Sequence, residues 1–220
     1  MNATRSPRIL VLAKAPVPGR VKTRLCPPCT PVQAARVAAA ALGDTLGTVT
    51  ASAARARVLV VDGAYVAPPG WETLAQCGGP LGERLANAFT DTPGAPAVLI
   101  GMDTPQLSAA QVDAALAPLG AAGGPDAVLG PAVDGGWWAL GLRDPGHAEV
   151  LRTIPTSTSD TASRTLAALR GRGLHVHLLP RLRDVDTAPD AHAVAALCPP
   201  GSRFAAAVAA DVPVRTGAAR

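Results

Sequence analysis

Four cations stand within eleven residues, Lys14-Ala-Pro-Val-Pro-Gly19-Arg20-Val-Lys22-Thr23-Arg24, directly after a short apolar run. Arg offers a bidentate fork, Lys a compact charge, and Gly19 lets a ligand approach the backbone closely. Together they suit a di- or triphosphate. The segment is neither GxGxxG nor a Walker A loop, and a solvated basic loop is the competing reading. Asp103, in Gly101-Met-Asp-Thr-Pro105, is placed to hold Mg²⁺, which takes one or two protein carboxylates beside ligand phosphates. Asp-x-Pro equally suits the capping of a turn. Asp184 and Asp186 flank Val185, so both can face one side of an extended segment, and either could supply a second metal carboxylate. Asp186 or Thr187 could instead cap the next helix. Asp134-Gly135-Gly136-Trp137-Trp138 joins a carboxylate and two flexible residues to two of the three tryptophans. Indole faces stack on sugar rings, and Asp134 could accept a sugar hydroxyl or act as a base. A Gly-Gly hairpin with a Trp core anchor is the alternative. Gly78-Gly-Pro-Leu-Gly82-Glu-Arg84 opens a predicted helix, where an anion is attracted and Arg84 adds charge; a plain capped turn fits as well.

These residues need a frame to bring them together. Runs rich in branched residues predict strands at 8–13, 57–61, 97–100, 127–129, 138–142 and 174–179. Thr30-Pro31-Val32-Gln33 and Ser108-Ala-Ala-Gln111 are capping boxes, which predict helices to about residues 54 and 119. Further helices are predicted over 81–90, 159–172 and 188–197. Strands alternating with helices imply an α/β chain with a mostly parallel sheet covered on both faces. In such folds ligands bind at the carboxyl ends of strands, where the candidate residues fall. Residues 1–198 read as a single domain and 199–220 as an Ala-rich, loosely docked tail.

The chain has 220 residues, 48% of them hydrophobic, 3% aromatic and 16% charged. Disorder needs the reverse balance, so the chain should build a core from Ala, Val and Leu. The net charge of +4 is unevenly spread. Residues 1–57 carry nine basic residues against Asp44 alone, and residues 58–198 carry eight against fourteen acids. A basic segment facing an acidic body, with no aromatic-interleaved Lys/Arg run, argues against a nucleic-acid partner. Arg5, Arg36, Arg55 and Arg57 lie outside the motifs and read as surface charge. No stretch reaches the roughly 18 apolar residues of a membrane span. The run Ile9–Ala13 is shorter than the roughly 7–15 residues of a signal-peptide core, so a cytoplasmic location is expected. Four cysteines do not make a disulfide framework, and Cys26-Pro-Pro-Cys29 lacks the second ligand pair of a zinc site. Two thiols in a Pro-rich loop is the simpler reading. The four histidines show no metal spacing, and no nucleophile elbow is present.

LAKAPVPGRVKTRL, GGPLGERLANAF, VLIGMDTPQL, VLGPAVDGGWWALGL and LRDVDTAPD, in that order, resemble the small bacterial glycosyltransferase-A-like proteins. These are known as arsenosugar-biosynthesis-type glycosyltransferases or as a domain of unknown function, within the nucleotide-diphospho-sugar transferase superfamily. The resemblance spans about residues 8–197. It implies a three-layer α/β/α sandwich with a mixed, mainly parallel sheet. It implies a glycosyltransferase using a nucleotide sugar and a small-molecule acceptor. The alternatives are a nucleotidylyltransferase acting on an NTP and a phosphorylated acceptor, or a non-catalytic nucleotide-binding protein. It places the nucleotide on the loop Lys14–Arg24, with Arg20, Lys22 and Arg24 on the phosphates. Asp103 takes the place of a metal-binding aspartate and Asp186 that of a second ligand for Mg²⁺ or Mn²⁺. Asp134, Gly135 and Gly136 line the sugar or acceptor pocket, with Trp137-Trp138 where the family has other aromatics. Val133 replaces a polar residue, leaving Asp134 as the local base.

Overall fold

A computed structural model describes residues 6–214. Strand β1 (Arg8–Lys14) leads through the cation loop into helix α1 (Pro31–Ala51), started by the Thr30/Gln33 capping box. Then follow β2 (Ala56–Asp62), β3 (Glu72–Ala75), α2 (Leu81–Thr90), β4 (Ala97–Gly101) and α3 (Ala109–Gly120). The second half contains β5 (Ala127–Pro131), β6 (Trp137–Leu142), a 3-10 segment (Pro145–Thr153), α4 (Thr161–Gly171), β7 (Val176–Leu178), α5 (Ala188–Ala195) and α6 (Arg203–Asp211). The strands form one sheet in the order β3-β2-β1-β4-β6-β5-β7. Its pairs are parallel except those of β6, which runs antiparallel to both β4 and β5. This is the mixed, mainly parallel α/β/α sandwich that the resemblance implies, and it contains the mostly parallel, doubly covered sheet that the strand–helix alternation implies.

Alternation along the strands divides the core. Ile9, Val11 and Ala13 of β1 face α1 and α3 in one apolar cluster, with Leu42, Leu46, Val112 and Leu119. Leu10 faces the other side, against Leu85 and Phe89 of α2, Leu151 of the 3-10 segment and Leu169 of α4. Two short features carry little apolar signal. Strand β3 is an edge strand with three of four residues exposed, and the 3-10 segment follows Asp144, whose side chain caps Gly146 N–H at 2.9 Å.

The C-terminal segment departs from the sequence expectation of a loose tail. Helix α6 docks on α1 through a third core that holds Ala34, Val37, Ala41, Val185, Val194, Phe204 and Val208. Helix α1 is therefore apolar on two faces, one for the sheet and one for α5 and α6, which accounts for its alanine content. Asp44 accepts from Ser202 Oγ (2.7 Å) and Phe204 N (2.9 Å), fixing the start of α6. Arg36 reaches Asp211 at 3.6 Å. Arg5 and residues 215–220 lie outside the described residues. Cys26, Cys29 and Cys198 pack at this third core as free thiols, and burial pushes Cys29 and Cys198 above the ordinary thiol pKa. Thiols held protonated in this way are poor nucleophiles. No helix of the described residues is long and apolar enough to cross a membrane.

Candidate active site

The exits of β1, β4 and β5 open into a cleft of about 660 Å³. Three loops build it. The segment after β1 brings Lys14, Arg20, Lys22 and Arg24 to one wall, and Arg84 of α2 joins them. Lys22 takes a left-handed backbone (φ 50°), which turns its side chain into the protein, where it is only 6% exposed. Its ammonium meets Asp103 Oδ1 at 2.6 Å and also donates to the Val185 carbonyl. Arg24 reaches Asp186 at 2.7 Å. The cation wall is thus tied to the acidic side of the cleft at two points.

The acids are assembled by backbone pairing between distant segments. Val133 N donates to Leu182 O (2.9 Å) and Leu182 N to Pro131 O (3.1 Å). Val185 N donates to the Asp103 carbonyl at 2.9 Å. These bonds lay residues 182–186 between the exits of β4 and β5. Val185 is fully buried, so its neighbours Asp184 and Asp186 both project into the cleft, as alternation requires. Carboxylate oxygens of Asp134, Asp184 and Asp186 lie within 4.8 Å of one another. Burial and the neighbouring charges of Asp134, Asp186 and Asp103 push the Asp184 carboxyl up to about 6. Three converging carboxylates with no soft ligand form an all-oxygen donor set, which suits a hard divalent cation such as Mg²⁺ or Mn²⁺.

A stability prediction follows from Asp184. Its folded pKa lies above the ordinary value of 3.8, so its ionisation opposes folding, and the cost grows as the pH rises through about 6. A shift of this size corresponds to about 3 kcal/mol at most, and solvent around the cleft screens it to about 1–2 kcal/mol. Asp184→Asn is therefore expected to stabilise the cation-free protein at pH 8 by about 1–2 kcal/mol, with the gain fading below pH 5. Urea unfolding at both pH values checks this; an equal effect at pH 4 and pH 8 would refute it.

The other predicted residues divide between the cleft and its surroundings. Asp103 faces Lys22 rather than the acidic trio. Trp138, cast as a sugar platform, is 3% exposed in the core and donates its indole N–H to Pro180 O at 3.0 Å. Trp137, one position along the strand, faces the opposite side and lines the cleft. Gly82, cast as a phosphate contact, is buried where a Cβ would sit 2.4 Å from the Leu151 carbonyl; it lets α2 pack on the 3-10 segment. Gly19 stands outside the cleft lining, with open space around it. Gly136 lines the cleft and donates its N–H to Asp134 Oδ1 at 2.8 Å.

Gly135 is a packing residue rather than a ligand contact. Its φ is +93°, and a Cβ would lie 1.9 Å from the Ser159 carbonyl oxygen. Ala162 N donates to its carbonyl at 2.9 Å. The Asp134 loop is in this way clamped to the segment preceding α4. Gly135→Ala is expected to cost about 1–3 kcal/mol through backbone strain and to weaken cation binding by moving Asp134. Thermal unfolding with and without Mn²⁺ reads both effects.

Two further features were not singled out as site residues. Gln76 lines the cleft, donates to the Ala13 carbonyl at 2.7 Å and accepts from Arg84 at 3.0 Å. Residues Thr156–Ser159 also line it. Neither carries a motif, and only the fold brings them to the cleft, Gln76 beside Arg84 of the cation wall.

The fold and the cleft at its strand ends define the class: this is the architecture of the nucleotide-diphospho-sugar transferases. The chain belongs to the bacterial family described as "uncharacterized protein conserved in bacteria" (DUF2064), whose profile matches residues 34–158. It is similar to a protein of Desulfovibrio desulfuricans G20 provisionally described as a nucleotide-diphospho-sugar transferase. The two are 28% identical over 93% of this chain and 94% of that one, with a TM-score of 0.81. The fold is shared with Rv0371c of Mycobacterium tuberculosis H37Rv in its manganese complex, at 20% identity, 86% and 97% coverage and a TM-score of 0.53. It is shared too with CMP:2-keto-3-deoxy-manno-octonic acid synthetase complexed with CTP, at 11% identity, 87% and 97% coverage and a TM-score of 0.56. No curated protein matches the chain.

Proposed function

We propose that the protein is a divalent-cation-assisted glycosyltransferase that moves a sugar from a nucleotide-sugar donor to a small-molecule acceptor. The observation that carries this reading is the facing of five cations and a three-carboxylate cluster across one cleft. Such an arrangement neutralises a diphosphate from both sides, and neutralising a leaving group is the main electrostatic task of such a transfer. Asp184 and Asp186, with Asp134 beside them, would hold the cation, which when bound supplies Lewis-acid charge to the leaving diphosphate. Arg20 and Arg24 bind its oxygens, Arg24 exchanging its carboxylate partner for phosphate. Asp103 orients the Lys22 ammonium. The donor's glycosyl C–O bond breaks, the nucleoside diphosphate departs, and the acceptor oxygen bonds to the freed carbon. Asp134 takes the acceptor hydroxyl proton.

A second reading, nucleotidyl transfer from an NTP to a phosphorylated acceptor, is favoured by the CTP-complexed neighbour of the same fold. One experiment separates the two. A thermal-shift panel of nucleotides and nucleotide sugars with Mg²⁺ or Mn²⁺ finds the donor, because a ligand of the native state raises Tm by mass action. Product analysis with that donor follows. Nucleoside diphosphate release supports glycosyl transfer, pyrophosphate release supports nucleotidyl transfer, and absence of both binding and release overturns the two readings together.

A further inference from the structure

We infer that the segment Thr156–Ser159, together with the indole of Trp137, forms a subsite for an uncharged polyhydroxylated ring. This deepens the function proposed above and rests on it. All five residues line the cleft. Thr158 Oγ1 is engaged by Asp160 at 2.7 Å and by Thr161 at 3.0 Å. The hydroxyls of Thr156, Ser157 and Ser159 make no hydrogen bond to other described residues, leaving donors and acceptors for a ligand.

The segment is held in place. Thr161 Oγ1 donates to Pro155 O (3.1 Å) and accepts from Thr158 N (3.2 Å). Ser159 is seated on Gly135, as described above. Ser157 has a left-handed backbone, φ 61°, a conformation that non-glycine residues hold only when their surroundings impose it. Hydroxyls on a fixed segment and an indole lining the same cleft suit a sugar or cyclic polyol, whose apolar face and hydroxyl rim match the two kinds of surface.

Charge decides against a phosphorylated ring. The cleft's cations, Lys14, Arg20, Lys22, Arg24 and Arg84, come from the β1 loop and α2. The anion-attracting start of α4 already carries the Asp160 carboxylate, paired with Arg164 at 2.6 Å. Asp134 stands next to the segment. A phosphate held at this segment would face the Asp134 and Asp160 carboxylates.

The test is NMR titration of the ¹⁵N-labelled full chain with Mg²⁺, using methyl glucoside and glucose 6-phosphate as probes. Nucleoside diphosphates and the corresponding glucose conjugates are titrated in parallel. Methyl glucoside is expected to shift the Trp137 indole N–H and the amides of 156–159, with glucose 6-phosphate at least about 5-fold weaker. Thr156→Val/Ser159→Ala should weaken methyl glucoside about 5–30-fold, from the loss of two hydrogen bonds, with nucleoside diphosphate affinity and Tm unchanged. If methyl glucoside still shifts these signals in the presence of the glucose conjugate, the subsite takes the acceptor. If the conjugate shifts them and blocks methyl glucoside, it takes the donor sugar. Equal or tighter binding of glucose 6-phosphate, or no perturbation of 156–159 by any sugar while nucleotides bind the Lys14–Arg24 loop, overturns the inference alone. Failure of every nucleotide to bind overturns the proposed function instead.

Discussion

Asp134→Asn is expected to lower turnover by about 10²–10⁴-fold, the range over which a positioned proton acceptor contributes. The substitution is nearly isosteric. An amide oxygen still accepts the Gly136 N–H, which meets Asp134 Oδ1 at 2.8 Å, so the loop should keep its shape. What is lost is charge: one of the three carboxylates that converge within 4.8 Å, and the group assigned to the acceptor proton. Loss of the base should lower kcat. Loss of a cation ligand should raise the Mg²⁺ or Mn²⁺ concentration needed for half-maximal rate. Steady-state rates across a cation titration separate the two, and saturating cation should recover only the second. A full rate at every cation concentration would remove Asp134 from the chemistry.

Phe204→Ala is expected to destabilise the protein by about 3–5 kcal/mol, the usual cost of deleting a fully buried aromatic side chain. Phe204 is completely buried among Ala34, Val37 and Ala41 of α1 and Val185 and Val194 of the acidic segment and α5. Its neighbours are mostly small, and those on α1 belong to a helix packed on two faces, so collapse around the cavity should be limited. Urea unfolding measures the loss; a cost under about 1 kcal/mol would mean that α6 is peripheral. The consequence reaches the cleft, because Val185 belongs to the same cluster as Phe204 and lies between Asp184 and Asp186. A weakened third core should therefore also lower cation affinity, although Phe204 does not itself line the cleft. The anchoring of Phe204 N–H by Asp44 at 2.9 Å makes Asp44→Ala a milder version of the same experiment.

How much of this was legible beforehand differs from residue to residue. Helix α2 occupies residues 81–90 as its periodicity predicts, and both capping boxes form as their spacing predicts. Local signals of this kind act over three or four residues, within reach of the chain alone. Strand β3 gave no such signal, since an exposed edge strand needs only its partner's backbone, here the ladder with Val58–Val61 of β2. Helix α6 was masked by its composition: alanine and scattered charge read as a tail until a second apolar face of α1 is available to bury Phe204 and Val208.

The site divides along the same line. That Lys14–Arg24 is a cation-rich loop at a strand's carboxyl end follows from the order of residues, as does the pairing of Asp184 with Asp186 on one side of an extended segment. Adjacent tryptophans on a strand face opposite ways, but which one enters which core was decided by the register shift at Gly130/Pro131 in the β5–β6 ladder, which places Trp138 with Ala139 in the Ile9 cluster and Trp137 on the side of Leu140 and the Leu10 cluster. Trp138 is buried by that arrangement and Trp137 lines the cleft. Likewise Asp134, Asp184 and Asp186 meet only because residues 131–133 pair with Leu182, about fifty positions away in the chain. The sequence by itself determined most helices, most strands and the chemical types available. Tertiary structure alone decided which carboxylates converge, which cations they face, and that Asp103 serves Lys22, because those outcomes depend on backbone pairing between distant segments that no local pattern encodes.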